Sequence, residues 1–239
     1  MKEQKSKPEQ KVVAIIPAAG AGVRMARKEA KQFLEIHGKP MLALTLERFQ
    51  LSPVIHAIVA VVPAGQVDFC RTDVVERYGL TKVAKVIAGG KRRQDSVRLG
   101  IEASEGLCET VLIHDGVRPF IDEPFIDRVV TAATMHRAVI AALPAKETVK
   151  EVDERGFVVK THDRKSLWMV QTPQAFRYED IRKAHRVAFE QGWEEVTDDA
   201  LLIEKMGIPI KVIEGSESNI KITTPLDLEL AGFLLKKAK

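Results

Sequence analysis

The sequence predicts an α/β fold in which a mostly parallel sheet carries helices on both faces and a β-arm projects from it. Three observations predict it. Unbroken apolar runs at Val12–Ile16, Ile55–Val62 and Val83–Ala88 have the composition of strands covered on both sides, as in a parallel sheet. Stretches with apolar residues at helical spacing separate them, so the order is βαβαβα, with right-handed crossovers. Further on, two segments alternate apolar and polar residues about a turn, which is hairpin chemistry. The first two together describe a Rossmann-like domain, and the third describes its arm.

With 239 residues the chain is long enough for one sizeable core. Residues 1–11 are charged and polar, without an apolar segment, and read as a disordered leader, not a signal peptide. Residues 12–239 read as a single domain. The first strand, Val12–Ile16, ends at Pro17, which cannot donate to a ladder. Ala18, Ala19, Gly20, Ala21 and Gly22 follow, none with a side chain larger than methyl, so a ligand can approach the main chain closely. Successive bare N–H groups form an anion-binding concavity, to which Arg24 and Lys31 add positive charge. The plainer alternative is a tight strand-to-helix turn with solvated basic residues. A Walker A loop is excluded because Val23-Arg24-Met25 follows Gly22 where Gly-Lys-Ser/Thr is needed. A dinucleotide fingerprint is excluded because Val62-Pro63 stands where an acidic residue would end the second strand.

Pro40 to Leu51 is a helix opened by proline. Ile55–Val62 is a strand, Val67–Tyr78 a helix, Val83–Ala88 a strand and Asp95–Ala103 a helix. Between the last two, Gly89-Gly90-Lys91-Arg92-Arg93-Gln94-Asp95-Ser96 again brings main chain and positive charge together. The structural alternative is a turn with its cap at Asp95 or Ser96. A fourth strand, Val111–Ile113, runs into His114-Asp115-Gly116-Val117-Arg118. Ligands of open α/β sheets sit outside the carboxyl ends of the strands. Asp115 is therefore placed to hold a cation such as Mg²⁺, which takes one or two carboxylates plus substrate phosphates. Arg118 pairs with Asp115 or meets a phosphate, and His114 reads as a core or hinge residue.

A helix over Glu123–Arg137 and a strand over Ala138–Leu143 follow. The arm, about 145–167, is a charged hairpin turning at Asp153–Gly156, and a projecting arm of this kind commonly meets a partner subunit. Trp168–Gln174 returns to the sheet, and Tyr178–Gln191 is a helix. Thr197 is first explained as a helix cap. Pro209–Ile213 is a strand. Lys221 lies in an apolar, strand-like stretch before a terminal helix over Leu226–Leu235, where it would act as an electrostatic catalyst if it faced the anion loops.

The formal charge of +4 is modest and spread out, which suits a small anionic substrate better than a nucleic-acid footprint. No apolar run approaches the roughly 20 residues a membrane span needs. Two cysteines without a pairing motif point to a reducing cytoplasm.

Pro17-Ala-Ala-Gly-x-Gly-x-Arg24-Met, Lys31-Gln-Phe, Gly89-Gly-x-x-Arg93-x-x-Ser96-Val, His114-Asp-Gly-x-Arg118-Pro, Asp163-Arg164, Thr172-Pro-Gln, Thr197-Asp and Asn219-Ile-Lys221 together resemble the 2-C-methyl-D-erythritol 4-phosphate cytidylyltransferases. The resemblance implies a nucleotidyltransferase fold and a Mg²⁺-dependent, cytoplasmic homodimer of the non-mevalonate isoprenoid pathway. Its substrates would be CTP and 2-C-methyl-D-erythritol 4-phosphate. It implies that Arg24 and Lys31 hold the CTP phosphates and that Lys221 helps neutralise the transition state. Ala18, Ala19, Gly20, Gly22, Gly90 and Ser96 would frame the nucleotide. Asp115 would contact the acceptor and lie near the metal, with Thr172, Thr197, Arg93 and Arg118 nearby. Thr148 and Arg164, on the arm, would reach the acceptor of the partner subunit. Val117 departs from the family's frequent Ala, and Lys91 from the acidic residue of some members. The rivals are a ribitol 5-phosphate cytidylyltransferase and a non-catalytic nucleotide-binding protein, which would not need Lys31, Asp115 and Lys221.

Overall fold

The computed structural model describes residues 11–20, 30–194 and 196–237. Gly22, Arg24 and nearly all of the expected leader lie outside the described residues. The first strand, β1 (Val12–Pro17), is followed by a short antiparallel pair, β2 (Glu35–Ile36) and β3 (Lys39–Pro40), and by α1 (Met41–Leu51). Then come β4 (Ala57–Val62), α2 (Val67–Phe69), which continues as π-helical turns over Cys70–Glu76, β5 (Val83–Ala88) and α3 (Arg93–Ala103). The chain goes on through β6 (Thr110–Ile113), α4 (Glu123–Met135) and β7 (Ala138–Pro144) to the arm, β8 (Lys150–Val152) and β9 (Val158–Thr161). It closes with β10 (Trp168–Arg177), α5 (Tyr178–Glu190), α6 (Asp199–Lys205), β11 (Lys211–Glu214) and α7 (Pro225–Lys237).

The main sheet has the order β11-β7-β10-β6-β1-β4-β5. Every pairing in it is parallel except those of β10, which runs antiparallel to both β6 and β7. Strand β1 shows why both faces are covered. Val12, Ala14 and Ile16 enter one core with Leu42, Leu46 and Phe49 of α1 and Phe125 and Val129 of α4. Val13 and Ile15 enter the other, with Val97 and Ile101 of α3 and residues of α5 and α6. Burying each such large side chain is worth roughly 1.5–3 kcal/mol, so neither face of the central strand can be left bare.

Three local expectations are corrected. Helix α3 starts at Arg93, not Asp95, with Arg92 as its cap; the Asp95 carboxylate accepts from the Arg92 backbone N–H at 3.1 Å, which places Asp95 inside the first turn. Helix α6 is capped by Asp198, whose carboxylate accepts from Leu201 N–H at 3.0 Å, so Thr197 is not its cap. The stretch around Lys221 is not a strand of the sheet. Asn219 is tied by its side-chain amide to the Thr172 carbonyl at 2.7 Å, and Thr223 and Thr224 N–H groups bend around Asp227. These side-chain ties lead the segment across the sheet's edge toward α7.

Candidate active site

The carboxyl ends of β1, β5 and β6 meet at a cavity of about 240 Å³. Ala18, Ala19 and Gly20 form one wall, Gly90 to Arg93 and Ser96 another, and Lys31, Asp115 and Lys221 close it. The walls are held by the main chain: Ala18 N–H donates to the Val61 carbonyl at 2.7 Å and Gly89 N–H to that of Val62 at 2.8 Å. Ser96 Oγ accepts from Gly90 N–H at 3.2 Å and donates to the Arg92 carbonyl, joining the second glycine loop to α3. A Cβ on Gly89 would lie 2.3 Å from Ala19 Cβ, and one on Gly116 2.9 Å from Ala18 Cβ, so glycine is what lets the three loops close together.

Asp115 is the centre of the charge. Its Oδ1 accepts from Arg93 Nε at 2.9 Å, its Oδ2 lies 2.7 Å from Lys221 Nζ, and Arg118 Nε stands 3.9 Å from Oδ2. Burial alone would raise its pKa, but Arg93, then Lys221 and Arg118, outweigh burial and hold the carboxyl far below the ordinary carboxylate range. The loop carrying it is fixed by a short relay. Asp115 N–H donates to Thr172 Oγ1 (3.1 Å), that hydroxyl donates to His114 Nδ1 (3.2 Å), and His114 Nε2–H donates to the Arg118 carbonyl (3.0 Å). Burial pulls His114 down to about 4, so it is neutral at pH 7, and its full burial makes it a core residue, one of the two roles expected of it.

A second cavity of about 360 Å³ adjoins the first and shares Arg93, Asp115 and Lys221 with it. Arg118, Thr172 and Thr197 line it, so these expected residues stand together beside Asp115. Thr148 and Arg164 do not. They are exposed on the arm, where Arg164 Nη1 donates to the Lys146 carbonyl at 2.9 Å, and they line neither cavity of their own chain.

Gln32, Gln174 and Asp198 also line these cavities without having been singled out by sequence. Asp199 and His185 were not singled out by sequence either; they line neither cavity but stand behind Arg93. Asp199 sits beside a helix-capping aspartate and His185 on an amphipathic helix, so only the three-dimensional meeting of α3, α5 and α6 distinguishes them. Among the described residues, no group of three or more His, Cys, Asp or Glu side chains could hold a metal ion. Among the described residues, Asp115 is the one carboxylate in the wall of the first cavity. Each of its oxygens keeps a second lone pair beyond its cation contact, a donor set that suits Mg²⁺ only if phosphates supply other ligands.

A family model described as 2-C-methyl-D-erythritol 4-phosphate cytidylyltransferase (IspD) matches residues 12–237. The chain is 48% identical over 227 residues to the 2-C-methyl-D-erythritol 4-phosphate cytidylyltransferase of Syntrophus aciditrophicus (strain SB), with 95% of this chain and 97% of that one covered. It is 46% identical over 229 residues to the enzyme of the same name from Geobacter metallireducens, covering 95% and 98%. Among solved structures, it resembles 4-diphosphocytidyl-2C-methyl-D-erythritol synthase from Anaerococcus prevotii DSM 20548, with a TM-score of 0.83 and 32% identity over 95% of this chain and 99% of that one.

Proposed function

The chain belongs to the 2-C-methyl-D-erythritol 4-phosphate cytidylyltransferase family, and we propose that it transfers the cytidylyl group of CTP to 2-C-methyl-D-erythritol 4-phosphate, releasing pyrophosphate. An oxygen of the acceptor phosphate forms a bond to the α-phosphorus of CTP, and the bond from that phosphorus to the bridging oxygen of the pyrophosphate group breaks. The attacking phosphate is already ionised at pH 7, so no general base is required. The difficulty is bringing two anions together, and positioning and positive charge supply the remedy.

The observation that carries this reading is the adjoining pair of cavities with Asp115, Arg93 and Lys221 in their common wall. The nucleotide lies in the first, framed by Ala18, Ala19, Gly20, Gly90 and Ser96, with its phosphates toward Lys31; Gly22 and Arg24, outside the described residues, keep the nucleotide-binding roles that the family resemblance implies. The acceptor lies in the second, against Asp115, Thr172, Thr197 and Arg118. Lys221 borders both and offsets the charge that builds up as phosphorus becomes five-coordinate. Mg²⁺, when bound, would be held by Asp115 and the nucleotide phosphates and would supply charge neutralisation.

The working unit is a homodimer joined through the arm. Phe157, Val158 and Val159 of the hairpin and Trp168, Met169 and Val170 at the start of β10 are all exposed, an apolar surface suited to burial against a second copy. Docking there would bring Thr148 and Arg164 to the partner's acceptor cavity. No helix among the described residues is long and apolar enough to cross a membrane. Both cysteines are unpaired, and this accords with a place in the cytoplasm.

Pyrophosphate release by the purified protein tests the reading, with CTP and Mg²⁺ and with either 2-C-methyl-D-erythritol 4-phosphate or ribitol 5-phosphate as acceptor. Release with the first acceptor alone is expected. Release with ribitol 5-phosphate alone would overturn the assigned acceptor, and binding without release would overturn the transfer reaction.

A further inference from the structure

Arg93 stands where the two cavities meet, and it is gripped from behind as well as from the front. Its Nε–H donates to Asp115 Oδ1 at 2.9 Å, while its Nη1–H donates to Asp199 Oδ2 at 2.7 Å. The other oxygen of Asp199 accepts from His185 Nε2 at 3.1 Å. Arg93 comes from α3, His185 from α5 and Asp199 from α6, so the row Asp115–Arg93–Asp199–His185 crosses three helices. Asp199 and His185 are each 1% exposed and line neither cavity, so neither can touch a substrate there.

The cap of α6 is Asp198, which leaves Asp199 without that structural duty. Taking a carboxylate out of water costs several kcal/mol, and replacing a buried ion pair by well-packed apolar residues is often neutral or stabilising. A buried row of this kind is therefore not explained by stability alone. It does have a geometric consequence. An arginine side chain carries about 2 kcal/mol of rotamer entropy, and its planar fork can be pinned at one nitrogen while another is aimed elsewhere. Asp199 takes one nitrogen of the fork, and the second is left pointing at the carboxylate that the nucleotide and acceptor cavities share.

We infer that Asp199, itself oriented by His185, is a positioning residue for the transfer reaction: it sets the Arg93 guanidinium against Asp115 at the junction of the two substrate cavities. The inference rests on the assignment of those cavities to CTP and the acceptor. Asp199 acts only through Arg93, so its removal misplaces Asp115 and the phosphate it faces. A misplacement of about 1 Å can cost on the order of 100-fold in rate.

The experiment measures kcat and KM for both substrates, by pyrophosphate release, in the wild-type protein, Asp199→Asn, Arg93→Lys and the double variant, with thermal unfolding of each. Asp199→Asn, folded at the assay temperature, is expected to lose on the order of 10- to 100-fold in kcat/KM for the acceptor. The double variant is expected to be no worse than the poorer single one, because both changes break one row. A purely structural Asp199 would lower the unfolding temperature and leave kcat/KM of the folded enzyme unchanged, and that result would overturn the inference. Losses that multiply in the double variant would overturn it too. If Asp199→Asn does not fold, His185→Leu takes its place, with a smaller loss expected and recovery in His185→Gln, whose amide can still donate to Asp199; an undiminished His185→Leu enzyme would overturn the inference. An active wild type with undiminished variants refutes only this inference, whereas an inactive wild type refutes the transfer reading and this inference with it.

Discussion

Replacing Lys221 by alanine separates catalysis from stability at this site. Lys221 Nζ lies 2.7 Å from Asp115 Oδ2, and its side chain is 38% exposed at the border of both cavities. Removing it leaves Asp115 with Arg93 at 2.9 Å and Arg118 at 3.9 Å, so the carboxylate is not stranded. A partly exposed ion pair is worth about 0–1 kcal/mol, and the folded protein is expected to lose no more than that. The transition state loses more. Loss of one preorganised donor facing a developing anion costs about 2.7–4 kcal/mol, a fall of roughly 100- to 1,000-fold in kcat. The assay is steady-state pyrophosphate release with CTP varied at saturating acceptor and then the reverse, alongside urea unfolding of both proteins. A folded Lys221→Ala enzyme with near-normal kcat would remove the lysine from the mechanism. An equal loss of kcat with several kcal/mol of stability would show that the residue mainly holds the site together.

Other consequences can be measured separately. Gly89→Ala would drive a methyl to 2.3 Å from Ala19 Cβ and 2.7 Å from Ser96 Oγ. It is expected to cost about 1–3 kcal/mol by overpacking and to raise KM for CTP more than for the acceptor; an equal fold-rise in both KM values would place the nucleotide elsewhere. Val159→Asp on the arm, at a position 63% exposed, is expected to convert a dimer to a monomer in sedimentation and to lower activity with it. Unchanged mass and full activity would dismiss the arm as the interface. His114, pulled down to about 4 by burial, makes the unfolded state bind a proton that the folded state refuses below its ordinary value of 6.5. Stability should therefore fall as pH drops from about 6.5 toward 4, by up to roughly 3 kcal/mol, in urea titrations across that range. His114→Gln should flatten the slope, and an unaltered slope would mean that His114 is not the group responsible.

Much of this protein could be read from local patterns. The boundaries of β5 at Val83–Ala88 and the carboxyl end of α1 at Leu51 were legible to the residue, because period and punctuation are local properties. So was the placement of Asp115 at a strand's carboxyl end, since an apolar run followed by His-Asp-Gly marks the edge of a parallel sheet wherever the strand sits. The small residues at Ala18 to Gly20 marked a cavity-lining loop for the same reason: lack of a side chain is visible without any fold.

What the chain pattern left open depends on residues far apart in sequence. That β10 enters antiparallel between β6 and β7 depends on pairing with two strands from elsewhere in the chain, which no single stretch records. Lys221 looked like part of a strand because its neighbours are Ile220 and Ile222. It crosses the sheet's edge instead because Asn219 ties back to Thr172 and Asp227 gathers the following backbone N–H groups. The row from Asp115 through Arg93 to Asp199 and His185 spans residues 93 to 199, and its two rear members, Asp199 and His185, carry no local signature. Composition and period thus mark most of the segments that become strands and helices and the glycine-rich loops that line the cavity. Which charges are brought within 3 Å of one another is settled only when helices from separate parts of the chain pack on the same face of the sheet, because an ion pair is a property of distance in space and a sequence specifies distance only along the chain.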